Sequence, residues 1–184
     1  WIKSRTDTRK HNLYDVVRGV QKRIVPNDSV AEDTATGVTA FGADGFTVGS
    51  ETDTNGSARN FVGWSWKAGT TSGITTNGST TITPTAYSFN ATAGFSIIKY
   101  VGSGITGAKY PHGLGVAPKM VIVKNLGGSS TWSVYHSSLG ATNFLRLEEA
   151  NAVGTGTGWW NDTAPTSSVF TLGSNINAVD TIGY

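Results

Sequence analysis

Short apolar runs, separated by stretches rich in Gly, Thr, Ser and Asn, recur along the whole chain. The run Met120–Val123 ("MVIV") lies between Pro-Lys and Lys-Asn, which is typical of a buried β-strand. In "TWSVYH" (131–136) apolar and polar residues alternate, so successive side chains would point to opposite faces of a sheet. No stretch of twelve residues keeps a convincing helical stripe. The pattern therefore predicts an all-β chain.

The remaining apolar runs are also predicted as strands. They are "NLYDVV" (12–17), "KRIV" (22–25), "GFTVGS" (45–50), "FVGWSW" (61–66), "GFSIIKYV" (94–101), "NFLRLE" (143–148), "SVFTLG" (168–173) and "DTIGY" (180–184). Residues 12–24 come closest to a helical pattern. Because they align without a gap with the strand-like residues from 133 onward, we predict strand, turn and strand there.

An internal repeat is visible when Lys3 is placed on Lys124, an offset of 121 residues. "IKSRTDTRKHNLYDVVRG" then lies over "VKNLGGSSTWSVYHSSLG", with Tyr14 over Tyr135. Further on, "DGFTVGS" (44–50) matches "SVFTLGS" (168–174) at an offset of 124, and "FVGW" (61–64) matches "TIGY" (181–184) at 120. Three blocks in the same order indicate two copies of one module.

The repeat predicts the domain organisation. Residues 1–69 are the later part of a first β module, residues 70–92 a Thr/Ser/Gly/Asn-rich connector, and residues 93–184 a second module that is incomplete at its C-terminal end. The predicted fold class is a tandem pair of antiparallel β-sandwich-like modules. Because the chain begins without Met and ends within a predicted strand, we expect it to belong to a longer polypeptide.

Composition narrows the classes of function. Only 14% of residues are charged, Gly occurs 24 times and Cys is absent, which suits extracellular or virion fibres and excludes disulfides and thiol chemistry. The chain has no membrane-spanning apolar run, so membrane insertion is not predicted. Seven of the 14 basic residues lie before position 24. Since Asp7 and Asp15 interrupt them and no nucleic-acid motif accompanies them, we predict a solvated face or a subunit contact rather than nucleic-acid binding.

Two motifs near the middle of the chain suggest chemistry only weakly. "GSGITG" (102–107) follows a predicted strand, but the helix of a dinucleotide-binding fingerprint is missing, so we predict a hairpin loop and no cofactor. His112 lies in the turn "HGLG" without a partner acid or nucleophile nearby in sequence, so we predict a turn or surface role.

Catalytic and metal sites are also predicted to be absent. Residues 136–138 ("HSS") and Asp162 supply the residue types of a hydrolase triad, but no nucleophile elbow is present. Glu148 and Glu149 are adjacent, so in a strand they would point to opposite faces instead of facing each other across a substrate. The three histidines lack metal-ligand spacing.

The candidate binding site lies in "TGTGWWNDT" (155–163). If this segment were a strand, one of Trp159 and Trp160 would point inward and leave the other free to stack on a sugar ring. Asn161 and Asp162 would then bind the sugar hydroxyls. The alternative is that both tryptophans serve core or subunit packing.

The blocks "GFSIIKYVGSG", "HGLGVAPKMVIVKN", "WSVYHSSL" and "PTSSVFTLGS", preceded by "YDVVRG", "DGFTVGS" and "WSWKAG", resemble a repeat domain of tail-fibre-like virion structural proteins of marine bacteriophages, notably those of cyanobacteria. "HGLGVAP" with "VIVKN" is the most specific part of the resemblance. It implies a non-enzymatic virion protein, a tail fibre or spike component that presents loops to the host cell surface. No catalytic or binding residue follows from it.

The expected partners are further copies of the chain, other virion proteins and host-surface glycan. We predict a homotrimer, because low charge and many apolar strands leave edges and faces that closed symmetric assembly would cover. Two alternatives stay open from the sequence. One is a capsid decoration protein, and the other is a set of carbohydrate-binding modules from a secreted carbohydrate-active enzyme.

Overall fold

A computed structural model describes residues 1–76, 78 and 80–175, and these are nearly all β. The strands are β1 (Ile2–Ser4), β2 (Leu13–Asp15), β3 (Gly19–Ile24), β4 (Asp33–Thr34), β5 (Val38–Phe41), β6 (Phe46–Val48), β7 (Phe61–Gly63), β8 (Pro84–Asn90), β9 (Phe95–Tyr100), β10 (Lys109–Pro111), β11 (Met120–Val123), β12 (Ser133–His136), β13 (Asn143–Arg146), β14 (Gly154–Thr155) and β15 (Val169–Thr171). Two single-turn helices are α1 (Thr52–Asn55) and α2 (Thr157–Trp160). The all-β prediction is confirmed.

The strands form small sheets, and each pairing among them is antiparallel. β2-β3-β4 and β11-β12-β13-β14 are meanders in which each strand pairs with the next along the chain. The other sheets have two strands each: β1-β7, β5-β6, β8-β9 and β10-β15. Residues 12–24 form β2, a turn and β3, as predicted, and Gly19, the first residue of β3, has a φ of 101° directly after the turn.

The two meanders share one register at the offset of 121 residues. The matched pairings are Ile2 opposite Asn12 with Val123 opposite Ser133, Leu13 opposite Ile24 with Val134 opposite Leu145, and Arg23 opposite Asp33 with Phe144 opposite Gly154. A slip of one residue in the pairing would exchange the buried and the exposed face of a strand. Because the same residue pairs face each other at three strand interfaces, the two copies bury equivalent side chains. Residues 2–34 and 123–155 are therefore two copies of one unit.

A close backbone contact extends the correspondence to the second repeated block. A Cβ placed on Gly49 would lie 2.1 Å from the carbonyl oxygen of Thr36, and one on Gly173 would lie 2.3 Å from the backbone of Gly158. Only glycine fits such an approach. The third block ends at residues 181–184, which lie outside the described residues.

Among the described residues, three clusters of buried side chains form the core. The largest belongs to the second module and includes Tyr100, Tyr110, Trp160 and Leu172. A small cluster in the first module contains Ile2, Tyr14 and Val38. The third cluster joins the modules and contains Ile24, Leu126 and Trp132. β12 is buried on both faces because Tyr135 enters the first cluster and Trp132, just before the strand, enters the third.

Backbone hydrogen bonds also join the modules. The amide of Glu32 donates to the carbonyl of Leu126 at 3.0 Å, and the amide of Ser130 donates to the carbonyl of Ser29 at 2.8 Å. The loop before β4 and the loop after β11 therefore form one interface.

The segment predicted as a connector is more ordered than a linker. β8 lies within residues 70–92 and pairs with β9 along its length, and Ile82 is buried in the largest cluster. The predicted hairpin at 102–107 is wrong, since that loop joins β9 to β10, which pair with different strands. β10 pairs with β15 and not with β9, so the segment at 102–107 passes from the β8-β9 sheet to the β10-β15 sheet.

Candidate functional site: an apolar groove between the modules

The two tryptophans of the predicted glycan site are both buried. Trp159 is 8% exposed and stacks on Phe144 with ring centroids 3.8 Å apart, and Trp160 is 2% exposed with the ring of Tyr135 edge-on at 5.8 Å. The segment forms α2 instead of a strand, so the expected alternation of inward and outward side chains does not apply. Neither indole offers a free face, which corresponds to the alternative of core packing.

Asn161 and Asp162 are exposed and end α2. Their φ angles are 51° and 48°, in the left-handed region, and the amide of Asn161 donates to the carbonyl of Thr157 at 2.9 Å. A left-handed residue after the last helical turn is a common way to end a helix. Glycan contact through these two polar side chains stays a prediction, without an aromatic platform from α2.

Of the turn or surface role predicted for His112, the turn is what the structure shows, and the surface alternative is wrong because the side chain is buried. Its Nδ1 accepts a hydrogen bond from the amide of Leu114 at 3.2 Å, which leaves Nε2 to donate to the carbonyl of Thr166 at 3.1 Å. Burial lowers the pKa of the His112 imidazole, against the smaller opposing effect of the Thr166 carbonyl. The ring is neutral and ties the turn after β10 to the loop before β15.

The remaining candidate acids and bases are engaged in separate structural contacts. His136 Nδ1 accepts from the amide of Ser138 at 3.3 Å, in the turn after β12. Glu148 accepts from the amide of Trp132 at 3.0 Å, and Glu149 pairs with Arg146 at 3.3 Å. In the described ranges no group of three or more His, Asp or Glu side chains is placed to hold a metal ion.

Many basic residues near the start of the chain are paired with acids of the same chain. Asp7 contacts Arg9 at 3.3 Å and Arg59 at 2.8 Å, and Asp53 contacts Arg9 at 3.5 Å and Arg23 at 3.6 Å. The Ser4 hydroxyl, followed by the two arginines, lowers the pKa of Asp7. The basic cluster is thus largely an internal ion-pair network.

A wide groove of about 1180 Å³ lies between the two modules. Exposed apolar side chains line it from both sides: Phe46, Trp64 and Trp66 from the first module, and Val116 and Met120 from the second. Both tryptophans are about half exposed, at 48% and 53%. Large apolar side chains exposed side by side, in contrast to scattered ones, mark a surface used for interaction.

Some of the aromatic side chains in the groove lie in pairs. The rings of Trp66 and Phe95 lie nearly parallel, at 18°, with centroids 6.0 Å apart. Phe41 and Phe46 lie opposite each other at the end of the β5-β6 hairpin. The strand predicted over residues 61–66 is shorter in the structure, where β7 ends at Gly63, before Trp64 and Trp66. The spacing "WSW" followed by Lys-Ala-Gly, with no apolar partner run, is the signal that could have indicated exposed rings.

One family profile matches residues 1–184, and therefore both modules and the segment between them. The chain belongs to the family described as a domain of unknown function, DUF7483. No curated protein and no solved structure matches it.

The lining of the groove in this DUF7483 chain is mainly apolar. Its charged lining side chains are few, among them Asp15, Asp44, Lys67 and Lys119. Across the described residues, no helix is long and apolar enough to cross a membrane.

Proposed function

We propose that this chain is a non-enzymatic structural component of a bacteriophage virion, a tail fibre or spike protein that assembles as a homotrimer and presents loops to the host surface. The observation that carries the proposal is the exposed aromatic lining of the groove. Trp64 and Trp66 are each about half exposed, and covering either of them on assembly would stabilise the assembled state by roughly 2 kcal/mol. Such a surface is favourable for a subunit contact and costly for a lone chain.

The repeated architecture supports the same role. The two modules have the same strand register and are joined through the loops at Glu32 and Leu126. An elongated component of a particle can be built by repeating such a unit along its length. The resemblance of several sequence blocks to tail-fibre-like proteins supports the same role, and so does the low content of charged residues. These features support a structural role more directly than a catalytic one.

The assembly part of the proposal is tested by light scattering coupled to gel filtration. The unaltered chain should have the mass of a trimer, and Trp66→Ser should shift it towards the monomer. Val20→Ser is the matched control, because Val20 is exposed at 41% but does not line the groove. A monomeric unaltered chain at micromolar concentration would contradict the assembly, and a Trp66→Ser protein that keeps the mass of a trimer would contradict the groove as the subunit contact.

The virion part is tested by immunogold electron microscopy of phage particles with antibodies against the chain. Label along tail fibres or spikes supports the proposal. Label over the capsid shell would favour a decoration protein instead. Particles without label, with the protein found only in the medium, would favour modules of a secreted enzyme.

A further inference from the structure

β6 in the first module and β15 in the second are equivalent strands with different surroundings. At the offset of 124 residues, Phe46 corresponds to Phe170 and Val48 to Leu172. β15 pairs with β10, with Tyr110 opposite Phe170. The amide of Leu172, next after β15, donates to the carbonyl of Ala108 at 2.9 Å. The backbone groups of Phe170 and Leu172 therefore face β10.

The same edge of β6 is open. β6 pairs with β5, and the amides of Gly42 and Gly49 mark the two ends of that ladder by donating to Gly45 at 2.7 Å and to Gly37 at 2.9 Å. Because hydrogen-bonded positions alternate along an antiparallel strand, the backbone groups of Phe46 and Val48 point away from β5. Within residues 1–76, 78 and 80–175, no strand pairs with that second edge.

Burial shows what the missing neighbour would cover. Phe170 is 4% exposed, since the ring of Tyr110 lies against it with centroids 3.6 Å apart. Phe46, its equivalent, is 41% exposed and lines the groove. The first module thus has the acceptor strand and the aromatic side chain of this contact, but not the strand that completes it.

The second module shows which kind of strand the open edge accepts. β10 is a three-residue strand, Lys109–Pro111, whose Tyr110 packs on Phe170. In the first module β1 begins at Ile2, the equivalent of Val123 at the end of β11, and residues 1–76 contain no equivalent of β10. We propose that the free edge of β6 binds an antiparallel strand with the sequence chemistry of residues 109–111, a short extended segment that packs an aromatic side chain on Phe46.

The interaction is strand addition, in which main-chain hydrogen bonds supply affinity and one inward side chain supplies selectivity. The added strand pairs with the amides and carbonyls of Phe46 and Val48. Its aromatic residue takes the place that Tyr110 has over Phe170. An open strand edge with an exposed Phe would otherwise favour aggregation.

The test extends the chain with its own sequence. A second copy of residues 101–121 is fused directly to Trp1, which places the copied Tyr110 opposite Phe46 in the register of the second module. Amide hydrogen exchange, resolved by NMR, should show Phe46 and Val48 exchanging at least about tenfold more slowly than in the 184-residue chain. The matched control carries Tyr110→Pro in the added copy only, which removes both the amide donor and the aromatic ring.

Equal exchange in the extended chain and in its proline control would overturn the proposal. So would a 184-residue chain in which Phe46 and Val48 are already protected at high concentration and lose protection on dilution, because a second copy would then cover the edge. Neither outcome depends on where the protein lies in a virion, so this inference can fail while the proposed function stands.

Discussion

Lys124 is the best single position at which to test how the modules are held together. It is fully buried, and its Nζ donates to the carbonyls of Ser29 at 3.1 Å, Asn125 at 3.0 Å, Gly128 at 3.3 Å and Ser130 at 3.1 Å. Ser29 belongs to the first module and the other three residues to the second. Lys124→Met keeps most of the side-chain volume and removes every one of these donors.

The magnitude follows from the carbonyl groups that lose a donor. A buried polar group left unsatisfied costs about 1–3 kcal/mol. Ser29, Gly128 and Ser130 are only partly buried, so water can restore part of the loss at these three. The variant also avoids the free-energy cost of burying the charged amine, which reduces the net loss of stability further. We expect Lys124→Met to lower the free energy of unfolding by about 3 kcal/mol near neutral pH.

The effect should grow as the pH rises. Burial lowers the pKa of Lys124 from 10.5 to about 8, although Glu148 and Asp28 act in the opposite direction. Between these values the unfolded chain binds more protons than the folded chain, so the stability of the unaltered protein increases with pH. The gain from about pH 7.5 to about pH 9.5 is on the order of 2 kcal/mol. The methionine variant lacks this gain, so the difference between the two proteins widens.

Urea unfolding followed by tryptophan fluorescence at the two pH values measures both effects. Lys3→Met is the matched control, because Lys3 is the repeat equivalent of Lys124 and donates to the carbonyls of Ser4 and Asp7 but is only partly buried. We expect a loss of about 1 kcal/mol there. A Lys124→Met protein as stable as Lys3→Met, or a difference from the unaltered chain that does not change with pH, would refute this account.

Three further predictions concern the core and the turns. Trp160→Ala should lower the free energy of unfolding by about 3–5 kcal/mol, because the buried indole is removed; a urea midpoint unchanged from the unaltered chain would show that the ring is not in the core. Gly173→Ala should strongly lower the melting temperature, because the added Cβ would lie 2.3 Å from the backbone of Gly158. Gly128→Ala is the control, since a Cβ there has open space and should leave the melting temperature nearly unchanged; equal melting temperatures for the two variants would contradict the close contact. Because the pKa of His112 is lowered below 6.5, the free energy of unfolding should fall as the pH drops below that value, and it should fall less in His112→Gln. Urea unfolding of both proteins at about pH 7 and about pH 5.5 measures this; an equal loss of stability in the two proteins would argue against a buried neutral ring.

The parts of the fold that the sequence predicted are those that depend on periodic patterns. Alternation in residues 131–136 and the gapless match of residues 12–24 to the second copy indicated strands, and both segments are strands. The repeat also indicates that both copies have the same strand register. Both copies share the alternation of apolar and polar residues, and one register alone buries the apolar face of each strand.

The candidate site was harder to predict because tertiary contacts decide it. α2 forms where the backbone of Gly158 meets Gly173, a contact with a residue far along the chain that no local pattern indicates. Trp64 and Trp66 are exposed, whereas large apolar residues are usually expected inside. Lys124 directly follows β11, and the four carbonyls around its amine come from loops that only the folded chain brings together.

The chain holds two copies of one module in the same register, and among the described residues the first copy has an open strand edge at β6. Site-resolved amide hydrogen exchange on the 184-residue chain measures both features at once. The amides of Phe170 and Leu172, which face β10, should be protected, and those of the equivalent Phe46 and Val48 should exchange fast. Equal protection at the two equivalent pairs would show that the edge of β6 is not open.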